Sequence, residues 1–548
     1  MTHSPPTGRA TDNPFDSIDW PEPRHADLTW EWDDVHMPRA LDRIGQAYVR
    51  TLAGGMAARA IASGLPIVNL GIAVHGYAYF SLWIDAPESD HDALRAASAA
   101  WNRTRVDGAE VRWRDEQRPE AEAIYEEMDR LPLADADGDG LARAWERAWA
   151  MADRIWDIHF DVIVGPYQAL EDLADLVTGR FPDIPDGDVL ALAGGSVEDL
   201  ALVDAGLDSL VDRINAEPGL LDHLRATPPP TLDELRRGPA GHAAFTAAVD
   251  AFLAVHGHLG HMTEDLREAS WSEEPERLLA DLVARVGRAA AGLDSRQAHR
   301  ADAAEALEAR IRSDLADEPE LLGRFEQALA AARAIGWLTE GHNYWLDRKC
   351  GDSLRRFTRR IGARLVAAGA IDDAEDIRHF DRDEVGPLLR NPTDQRPLVA
   401  ERKAELAARA AIVPPRTIGR PPDPAAAANA DRFDGRRIVS DDERVLRGSG
   451  ASAGVVRATA RVVNGPDDFE RVRPGDIVVA RASNPGWVPL FGIAAGFVTD
   501  TGGVLCHAAV VAREFGVPAV VGTGDATARI RDGQIVEIDG SAGTVRLG

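Results

Sequence analysis

The chain has 548 residues, of which 45% are hydrophobic and 28% charged, and its formal net charge is −29. That length exceeds one ordinary core, so we expect two or three domains. The acidic balance excludes proteins that bind nucleic acid or an anionic membrane surface through a basic face. A polar N-terminus, the lack of a long apolar run and only two cysteines predict a cytoplasmic protein in a reducing compartment.

The first four fifths of the chain is mainly helical in pattern. Residues 1–26 are polar and contain prolines, which predicts a loose tail. In residues 27–410 the apolar side chains recur at spacings of three and four, as in amphipathic helices. The apolar stretch at 65–84 predicts one small hairpin within this region. Residues 411–445 are rich in proline and alanine and predict a linker with long reach.

The pattern changes again in residues 446–548. Short apolar runs alternate with turn residues, which is typical of strands, and one clear helix stands between them, HAAVVAREFG. We therefore predict a multidomain protein, with a mainly α-helical substrate-binding domain followed by a C-terminal α/β domain.

The most informative segment is residues 496–522, GFVTDTGGVLCHAAVVAREFGVPAVVG. A strand leads into a glycine turn, and a helix follows with His507 in its first turn. Free backbone N–H groups and the helix dipole at such a place favour an anion, and imidazole is a competent nucleophile. A phosphate on His507 would be stabilised there, with Thr501, Gly502, Gly503 and Arg513 as its candidate supports, although a histidine at a helix start is by itself more often a structural cap.

The same segment resembles the phosphohistidine signature of the enzymes that use phosphoenolpyruvate (PEP). The residues that carry the resemblance are Gly502, Gly503, the run from His507 to Arg513, and GVPAVVG at 516–522. The resemblance implies a swivelling domain, a transient phosphohistidine, and AMP and phosphate as by-products of ATP. Dikinases of this family carry threonine two residues before the histidine, whereas this chain has Leu505, as in rifampin phosphotransferase and phenylphosphate synthase.

A nucleotide-binding domain is not visible in the pattern. Residues 27–410 show neither the alternating strands and helices of a barrel nor an ATP-grasp pattern. The resemblance therefore implies that a separate ATP-grasp type subunit supplies ATP and Mg²⁺. Split aryl phosphotransferases, such as phenylphosphate synthase and the p-cresol-phosphorylating enzyme, have this organisation.

The helical region resembles, more weakly, the substrate-binding domain of rifampin phosphotransferase. The stretches that carry the resemblance are 28–41, 252–275 and 338–377, where tryptophans and tyrosine stand beside histidines and carboxylates. Such a mixture suits a pocket for an apolar acceptor with a hydroxyl group, although buried helical aromatics equally fit an ordinary core. The candidate acceptor-site residues are Trp30, His36, His258, His261, Glu264, Trp271, His342 and Tyr344.

One further motif fits the formula of an EF-hand calcium loop, DADGDGLARAWE at 135–146. Its ligands would be Asp135, Asp137, Asp139 and Glu146. The alternative is an acidic loop that begins a helix, since Arg143 stands where a ligand often lies and no second hand is present. The histidines of HGHLGH (256–261) lack cysteine partners and give only a weak metal signal. We therefore predict no metal site and keep the 135–146 loop as a weak calcium candidate only.

These observations favour a phosphotransferase subunit that carries a phosphoryl group on His507 from ATP to the hydroxyl of a small aromatic or apolar molecule, such as a phenol. We expect activity only with the partner subunit. Three alternatives stay open: a PEP synthase-like enzyme that acts on pyruvate, a phosphocarrier or regulatory protein without a small substrate, and a calcium-responsive scaffold.

Overall fold

A computed structural model describes residues 14–34, 36–194, 198–239, 242–260, 265–289, 295–421, 440, 442–483 and 487–548. The alanine- and leucine-rich region before residue 411 folds into helices, which are, in chain order, α1 (Arg43–Ala62), α2 (His91–Thr104), α3 (Ala109–Arg112), α4 (Arg118–Arg130), α5 (Gly138–Arg180), α6 (Asp186–Leu192), α7 (Glu198–Ala216), α8 (Leu220–Leu224), α9 (Leu232–Arg236), α10 (His242–His256), α11 (Pro275–Ala289), α12 (Ser295–Asp314), α13 (Pro319–Ile335), α14 (Leu338–Trp345), α15 (Asp347–Ala367), α16 (Arg382–Arg390) and α17 (Arg396–Ala410).

The remaining elements are strands, three C-terminal helices and single turns of other helix types. The strands are β1 (Thr29–Trp32), β2 (Ile67–Val74), β3 (Tyr77–Ile84), β4 (Thr417–Gly419), β5 (Val445–Arg447), β6 (Ser449–Ser452), β7 (Val455–Val463), β8 (Ile477–Ala480), β9 (Gly496–Thr499), β10 (Ala519–Val521), β11 (Ile535–Asp539) and β12 (Thr544–Leu547). The helices are α18 (Val488–Ile493), α19 (His507–Phe515) and α20 (Ala526–Arg529). Turns of 3₁₀ or π type lie at Pro14–Asp16, Pro23–Asp27, Glu88–Asp90, Trp113–Gln117, Ala374–His379 and Pro466–Arg471.

Helix α5 is the central helix of the helical domain. It runs for 43 residues and begins where the Asp137 side chain accepts a hydrogen bond from the Gly140 amide, an N-cap arrangement. Its apolar face packs against α1, α13, α15 and α16. Trp145 and Trp149 are fully buried on that face and belong to the largest hydrophobic cluster of the domain. The predicted helical domain is confirmed.

A small antiparallel sheet covers one end of this domain, with strand order β2-β3-β1-β4. The predicted hairpin at 65–84 is confirmed, because β2 and β3 pair from Ile67↔Ile84 to Val74↔Tyr77. The sheet is larger than predicted, however, because β1 pairs with β3 on one side and with β4 on the other.

Two predicted segment boundaries are corrected by this sheet. The predicted tail packs from residue 14 onward: Phe15 is buried and Trp20 stacks on Trp30 with ring centroids 6.0 Å apart. The predicted linker starts too early, because Thr417–Gly419 pairs with β1. In both segments the burial of aromatic and aliphatic surface outweighs the polar, proline-rich composition. Residues 422–439 of the predicted linker lie outside the described residues.

The C-terminal domain is an α/β structure, as predicted. Its sheet has the strand order β5-β12-β11-β7-β8-β9-β10-β6, with parallel pairing from β7 through β10. One hydrophobic cluster lies on the face covered by α18 and α19, and another, which includes Val479 and Val498, lies on the opposite face. Parallel strands buried on both faces explain why β8 and β9 read as continuous apolar runs.

Candidate active site

The loop between β9 and α19 carries His507. The Thr501 amide and hydroxyl both donate to the Arg481 carbonyl oxygen, at 3.0 and 3.1 Å, which fixes the start of the loop. Gly502 has φ +97°, and a Cβ atom there would lie 2.6 Å from Cys506 Sγ. Only glycine fits this turn. Helix α19 begins at His507 and ends at Gly516 in the left-handed conformation, so the predicted strand–turn–helix arrangement is confirmed.

The imidazole of His507 faces the helical domain. Its Nδ1 donates to Glu340 Oε2 at 2.8 Å, and the Glu340 side chain is 4% exposed on α14. The Asn343 side-chain amide donates to the same oxygen at 3.2 Å. Among the described residues, the buried Nε2 of His507 has no hydrogen-bond partner. Because Nδ1 holds the proton, Nε2 is the nitrogen with the free electron pair.

Apolar contacts hold the two domains together beside this histidine. Val504 and Leu505 of the loop belong to a buried cluster whose other members, such as Leu173 and Leu329, come from the helical domain. Leu505 is 1% exposed. The leucine that distinguishes this chain from the dikinase pattern therefore lies in the domain interface.

A charged contact lies at another point of the interface. Arg481 Nε donates to Asp34 Oδ2 at 2.5 Å, and the guanidinium lies 4.3 Å from the centre of the Trp32 ring. Burial raises the pKa of the Asp34 carboxyl, although Arg481 opposes that rise. The Asp34 side chain is nearly inaccessible, whereas Arg481 is partly exposed. The arginine of the C-terminal domain therefore compensates the buried charge of a carboxylate in the helical domain.

A second cluster of polar side chains lies next to α14 within the helical domain. His159 Nδ1 and Asp347 Oδ1 are 2.6 Å apart, and the His159 and His342 ring centroids are 4.6 Å apart. The His342 Nδ1 donates to the Leu338 carbonyl at 2.6 Å. Burial, and then the neighbouring His159, lower the pKa of His342 to about 4. Burial would raise the pKa of Asp347, but the adjacent imidazoles hold it below its usual value.

Three of these residues were missed by the sequence prediction. His159 stands in RIWDIHF, in a helix whose other residues read as core, and Asp347 opens α15 like an ordinary first-turn acid. Glu340 lies in LTEGHNYW, from which His342 and Tyr344 were selected. The signal available for Glu340 was its place in the stretch that resembles rifampin phosphotransferase.

The other predicted acceptor-site residues are distributed over several places. Trp30 is fully buried in the small sheet, where its Nε1 donates to the His25 carbonyl, and Trp271 lies in a helical core with its Nε1 on Asp281. Both are core residues in this structure. His36 is 37% exposed and its Nδ1 lies 3.0 Å from the Asp33 carboxylate. It is close enough to Asp347 to lower that group's pKa.

Tyr344 of α14 and His258 lie together. The Tyr344 hydroxyl lies 2.8 Å from His256 Nδ1, and His258 Nε2 lies 3.2 Å from the Tyr344 carbonyl oxygen. Burial lowers the pKa of His258 to about 3, so this imidazole stays neutral. His261 and Glu264 lie outside the described residues.

Arg513, predicted to support the phosphate, is 5% exposed within the C-terminal domain. Its guanidinium donates to the carbonyl oxygens of Ala451 and Val504, at 3.1 and 2.7 Å. These contacts tie the His507 loop to β6. A phosphate contact of Arg513 and of the 501–503 turn stays a prediction.

The weak calcium-loop candidate at 135–146 does not have the shape of an EF-hand loop. An EF-hand loop wraps around its ion before the second helix begins, whereas α5 already begins at Gly138, the fourth position of the motif. Asp137 serves as the N-cap, and Asp139 pairs with Arg390 at 3.0 Å. The acidic residues are thus those of a helix start, which was the alternative reading.

Among the helices that the structure describes, none combines the length and the apolar character needed to cross a membrane.

Comparisons with known proteins match two parts of the chain. Residues 472–543 match the mobile domain of PEP-utilising enzymes, and residues 169–340 match the fourth domain of rifampicin phosphotransferase. The first match contains His507, and the second ends at Glu340. The two residues that meet across the domain interface therefore belong to two recognised domains.

Similar curated proteins cover most of the chain. Chondramide synthase cmdD of Chondromyces crocatus is 30% identical over 96% of this chain and 14% of its own length. The uncharacterized phosphotransferase YvkC of Bacillus subtilis is 26% identical over 77% of the chain and 51% of its own length. A rifampicin phosphotransferase of Streptomyces is 33% identical over 58% and 36%. The chain thus spans about half, or less, of the length of these relatives.

These matches agree with the sequence resemblance in both domains. The chain therefore joins a domain of the PEP-utilising mobile type to a domain of the rifampicin phosphotransferase type.

Proposed function

We propose that His507 carries a phosphoryl group on Nε2 and transfers it to the hydroxyl of a small aromatic or apolar molecule bound by the helical domain. The observation that carries the proposal is the contact between His507 Nδ1 and Glu340 Oε2, which crosses from the C-terminal domain to the helical domain. A histidine that served only as a helix cap would not need a buried carboxylate from another domain.

The contact also suits the chemistry of transfer. When Nδ1 is protonated and Nε2 carries the phosphoryl group, the ring is a cation, and the Glu340 carboxylate stabilises that cation. The acceptor oxygen forms a bond to phosphorus while the P–Nε2 bond breaks. The electron pair of the broken bond returns to Nε2, so His507 leaves as neutral imidazole, and the hydroxyl proton passes to a base on the acceptor side. His36, His261 and Glu264 remain predicted candidates for this base.

The donor side is also part of the proposal. A separate nucleotide-binding subunit of ATP-grasp type charges His507 from ATP and Mg²⁺, after which the C-terminal domain swings to the docked position. The rifampicin phosphotransferase relatives support phosphoryl transfer to a small molecule, and Leu505, which departs from the dikinase pattern, supports an acceptor other than pyruvate. Docking places the reacting groups in fixed geometry, which is the main contribution expected of the protein in phosphoryl transfer.

The first experiment measures charging. The chain is incubated with ATP, Mg²⁺ and lysate of its source organism, next to His507→Ala and a surface control, His91→Ala. Intact-mass and peptide-mass analysis should show an acid-labile gain of one phosphate on the His507 peptide in the wild type and in the control. A gain on another residue, or charging by phosphoenolpyruvate and not by ATP, would contradict the proposed donor.

The second experiment measures transfer without the partner. Phosphoramidate, a chemical donor for histidine, charges the purified chain, which is then mixed with phenols, a rifamycin or pyruvate. Loss of phosphate from His507 with matching gain on a phenol or rifamycin supports the proposed acceptor class. Transfer to pyruvate would instead establish a PEP synthase-like enzyme, and transfer to a protein of the lysate alone would establish a phosphocarrier.

A further inference from the structure

We propose that His159, His342 and Asp347 form a binding site for a divalent transition-metal ion in the helical domain. The three residues come from α5, α14 and α15, and each offers one ligand atom such that all three atoms lie within 4.8 Å of one another. Two imidazoles and one carboxylate are a ligand set used for Zn²⁺ and for non-haem iron. The proposal concerns metal binding and does not depend on the proposed phosphoryl transfer.

The spacing needs only a small adjustment to hold an ion. Bonds of about 2.0–2.2 Å to nitrogen and oxygen place tetrahedral ligand atoms about 3.3 Å apart. His159 Nδ1 and Asp347 Oδ1 are 2.6 Å apart, and no pair in the group exceeds 4.8 Å. Side-chain movements of about 1 Å therefore convert the hydrogen-bonded group into a coordination site, with the His159 proton moved to its other ring nitrogen.

The His342 ring is already held in the manner of a metal ligand. Its Nδ1 donates to the Leu338 carbonyl at 2.6 Å, which leaves Nε2 as the coordinating nitrogen. Histidines that bind metal usually donate their second nitrogen to a carbonyl or carboxylate in this way, because that contact fixes both the tautomer and the ring orientation.

The charge balance of the cluster is a further argument. Several other buried carboxylates of the helical domain pair with arginine, such as Asp265 with Arg39 and Arg267, and Glu273 with Arg355, whereas the buried Glu340 pairs with His507. Within the described part of the chain, the ion-pair partner of the equally buried Asp347 is a histidine, with no arginine or lysine. A buried carboxylate that lacks such a cation is costly unless something else compensates it. The neighbouring imidazoles offset part of that cost, and a divalent ion bound by all three side chains would offset more of it.

The ligand chemistry identifies the kind of ion. Imidazole nitrogen suits Zn²⁺, Fe²⁺, Co²⁺ or Ni²⁺, whereas Mg²⁺ prefers oxygen ligands and keeps several waters. The ion at this site is therefore distinct from the Mg²⁺ expected with the nucleotide. The Glu340 carboxylate is close enough to His342 to raise its pKa, so such an ion would add positive charge near the carboxylate that contacts His507.

The test uses the full chain, without a histidine tag, purified free of chelators. The metal content of the wild type is measured first, and the metal-free protein is then titrated with Co²⁺ and Zn²⁺. We expect one equivalent of bound metal, a visible d–d absorption band with Co²⁺, and displacement of Co²⁺ by Zn²⁺. In His342→Ala and Asp347→Asn, which each alter a ligand, the affinity should fall by more than the roughly tenfold to 100-fold that loss of an outer hydrogen-bond partner costs, whereas the control His256→Ala should keep it.

A second measurement needs no variant. Hydrogen–deuterium exchange of the wild type, followed by peptide mass with and without Zn²⁺, should show that the ion protects the segments that carry His159 and His342 but not the segment of His91. Wild-type protein without saturable Co²⁺ or Zn²⁺ binding would overturn the proposal. So would variants that fold and bind metal like the wild type, or Zn²⁺ that protects neither of these two segments.

Discussion

The two halves of the domain interface are built in different ways. On the C-terminal side, His507 and the turn that positions it lie within seven consecutive residues, and the contacts of Thr501 and Arg513 that fix the loop stay inside the same domain. On the helical side, Glu340 is positioned by packing of α14 against helices that are distant in sequence. The C-terminal side, called here the carrier half, can move as a unit and keep its geometry. The helical side, called here the receiving half, forms only when the whole helical domain is folded.

The largest effect is expected at Glu340, where the two halves of the interface meet. In Glu340→Gln, the His507 ring loses its charged partner, and charge-assisted hydrogen bonds contribute about 1.5–3 kcal/mol. We expect transfer from phosphorylated His507 to an acceptor to slow by roughly 10- to 100-fold. The rate of charging should stay at the wild-type value, because charging takes place away from the helical domain.

The measurement follows the phosphate on His507 by mass after charging with the lysate and, separately, after phosphoramidate treatment. Glu320→Gln, on the α13 surface, is the matched control. Equal slowing of charging and transfer would show that Glu340 supports folding rather than transfer, and an unchanged transfer rate would remove Glu340 from the mechanism.

The difference between the halves also decides what the sequence can predict. The strand, the glycine turn and the helix around His507 were predicted because the signals are contiguous: Gly502 for the turn, Gly516 for the helix end, and apolar strand residues between them. Local sequence determines that geometry. The amphipathic helices before residue 411 were predictable for the same reason.

The receiving half was only partly predictable. His342 was selected, but its partner His159 is 183 positions away in the sequence and stands among residues typical of a hydrophobic core. Nothing in the sequence near residue 159 shows that α5 passes beside α14. Trp30 and Trp271 were selected for their aromatic character and lie in cores instead. Strand β4 was missed since three residues after a proline pair carry no periodicity, and its place follows from pairing with β1.

Leu505 tests whether docking depends on apolar contact. Leu505→Thr restores the residue type of the dikinase pattern and removes buried apolar surface worth about 1.5–3 kcal/mol. We expect the docked population to fall by roughly one to two orders of magnitude when measured by the distance between fluorophores on the two domains. Val455→Thr, at a position 66% exposed in the same domain, should leave the distance unchanged. Normal docking of the Leu505 variant would show that docking does not depend on this apolar contact.

Arg481 tests the charged part of the interface, with a smaller expected effect because its side chain is 38% exposed. Arg481→Ala should weaken docking by about 1 kcal/mol. Burial already raises the pKa of Asp34, and Arg481 opposes it, so the variant raises that pKa further in the docked state. The docked state of the variant is then favoured at low pH and lost as pH rises through the raised pKa.

The same fluorophore distance, measured at about pH 5 and about pH 8, checks the sign of this dependence. Wild-type protein should show the smaller change between the two values. A variant that docks better at the higher pH would show that Asp34 is not the group that Arg481 compensates.

Cys506 tests whether the histidine alone reacts in this loop. A substitution of Cys506 is expected to have the smallest effect on phosphorylation of His507. Cys506 precedes His507 and could compete as a nucleophile, but burial raises the pKa of its thiol to about 11. Only the thiolate reacts, so iodoacetamide should label Cys506 very slowly near neutral pH, and the rate should still rise up to pH values near that pKa. Cys506→Ser should keep the capacity of His507 to hold phosphate. Rapid labelling at neutral pH would show that the loop opens far enough to solvate the thiol. The loop that carries His507 would then not be rigid on its own, and it would become ordered only on docking against the helical domain.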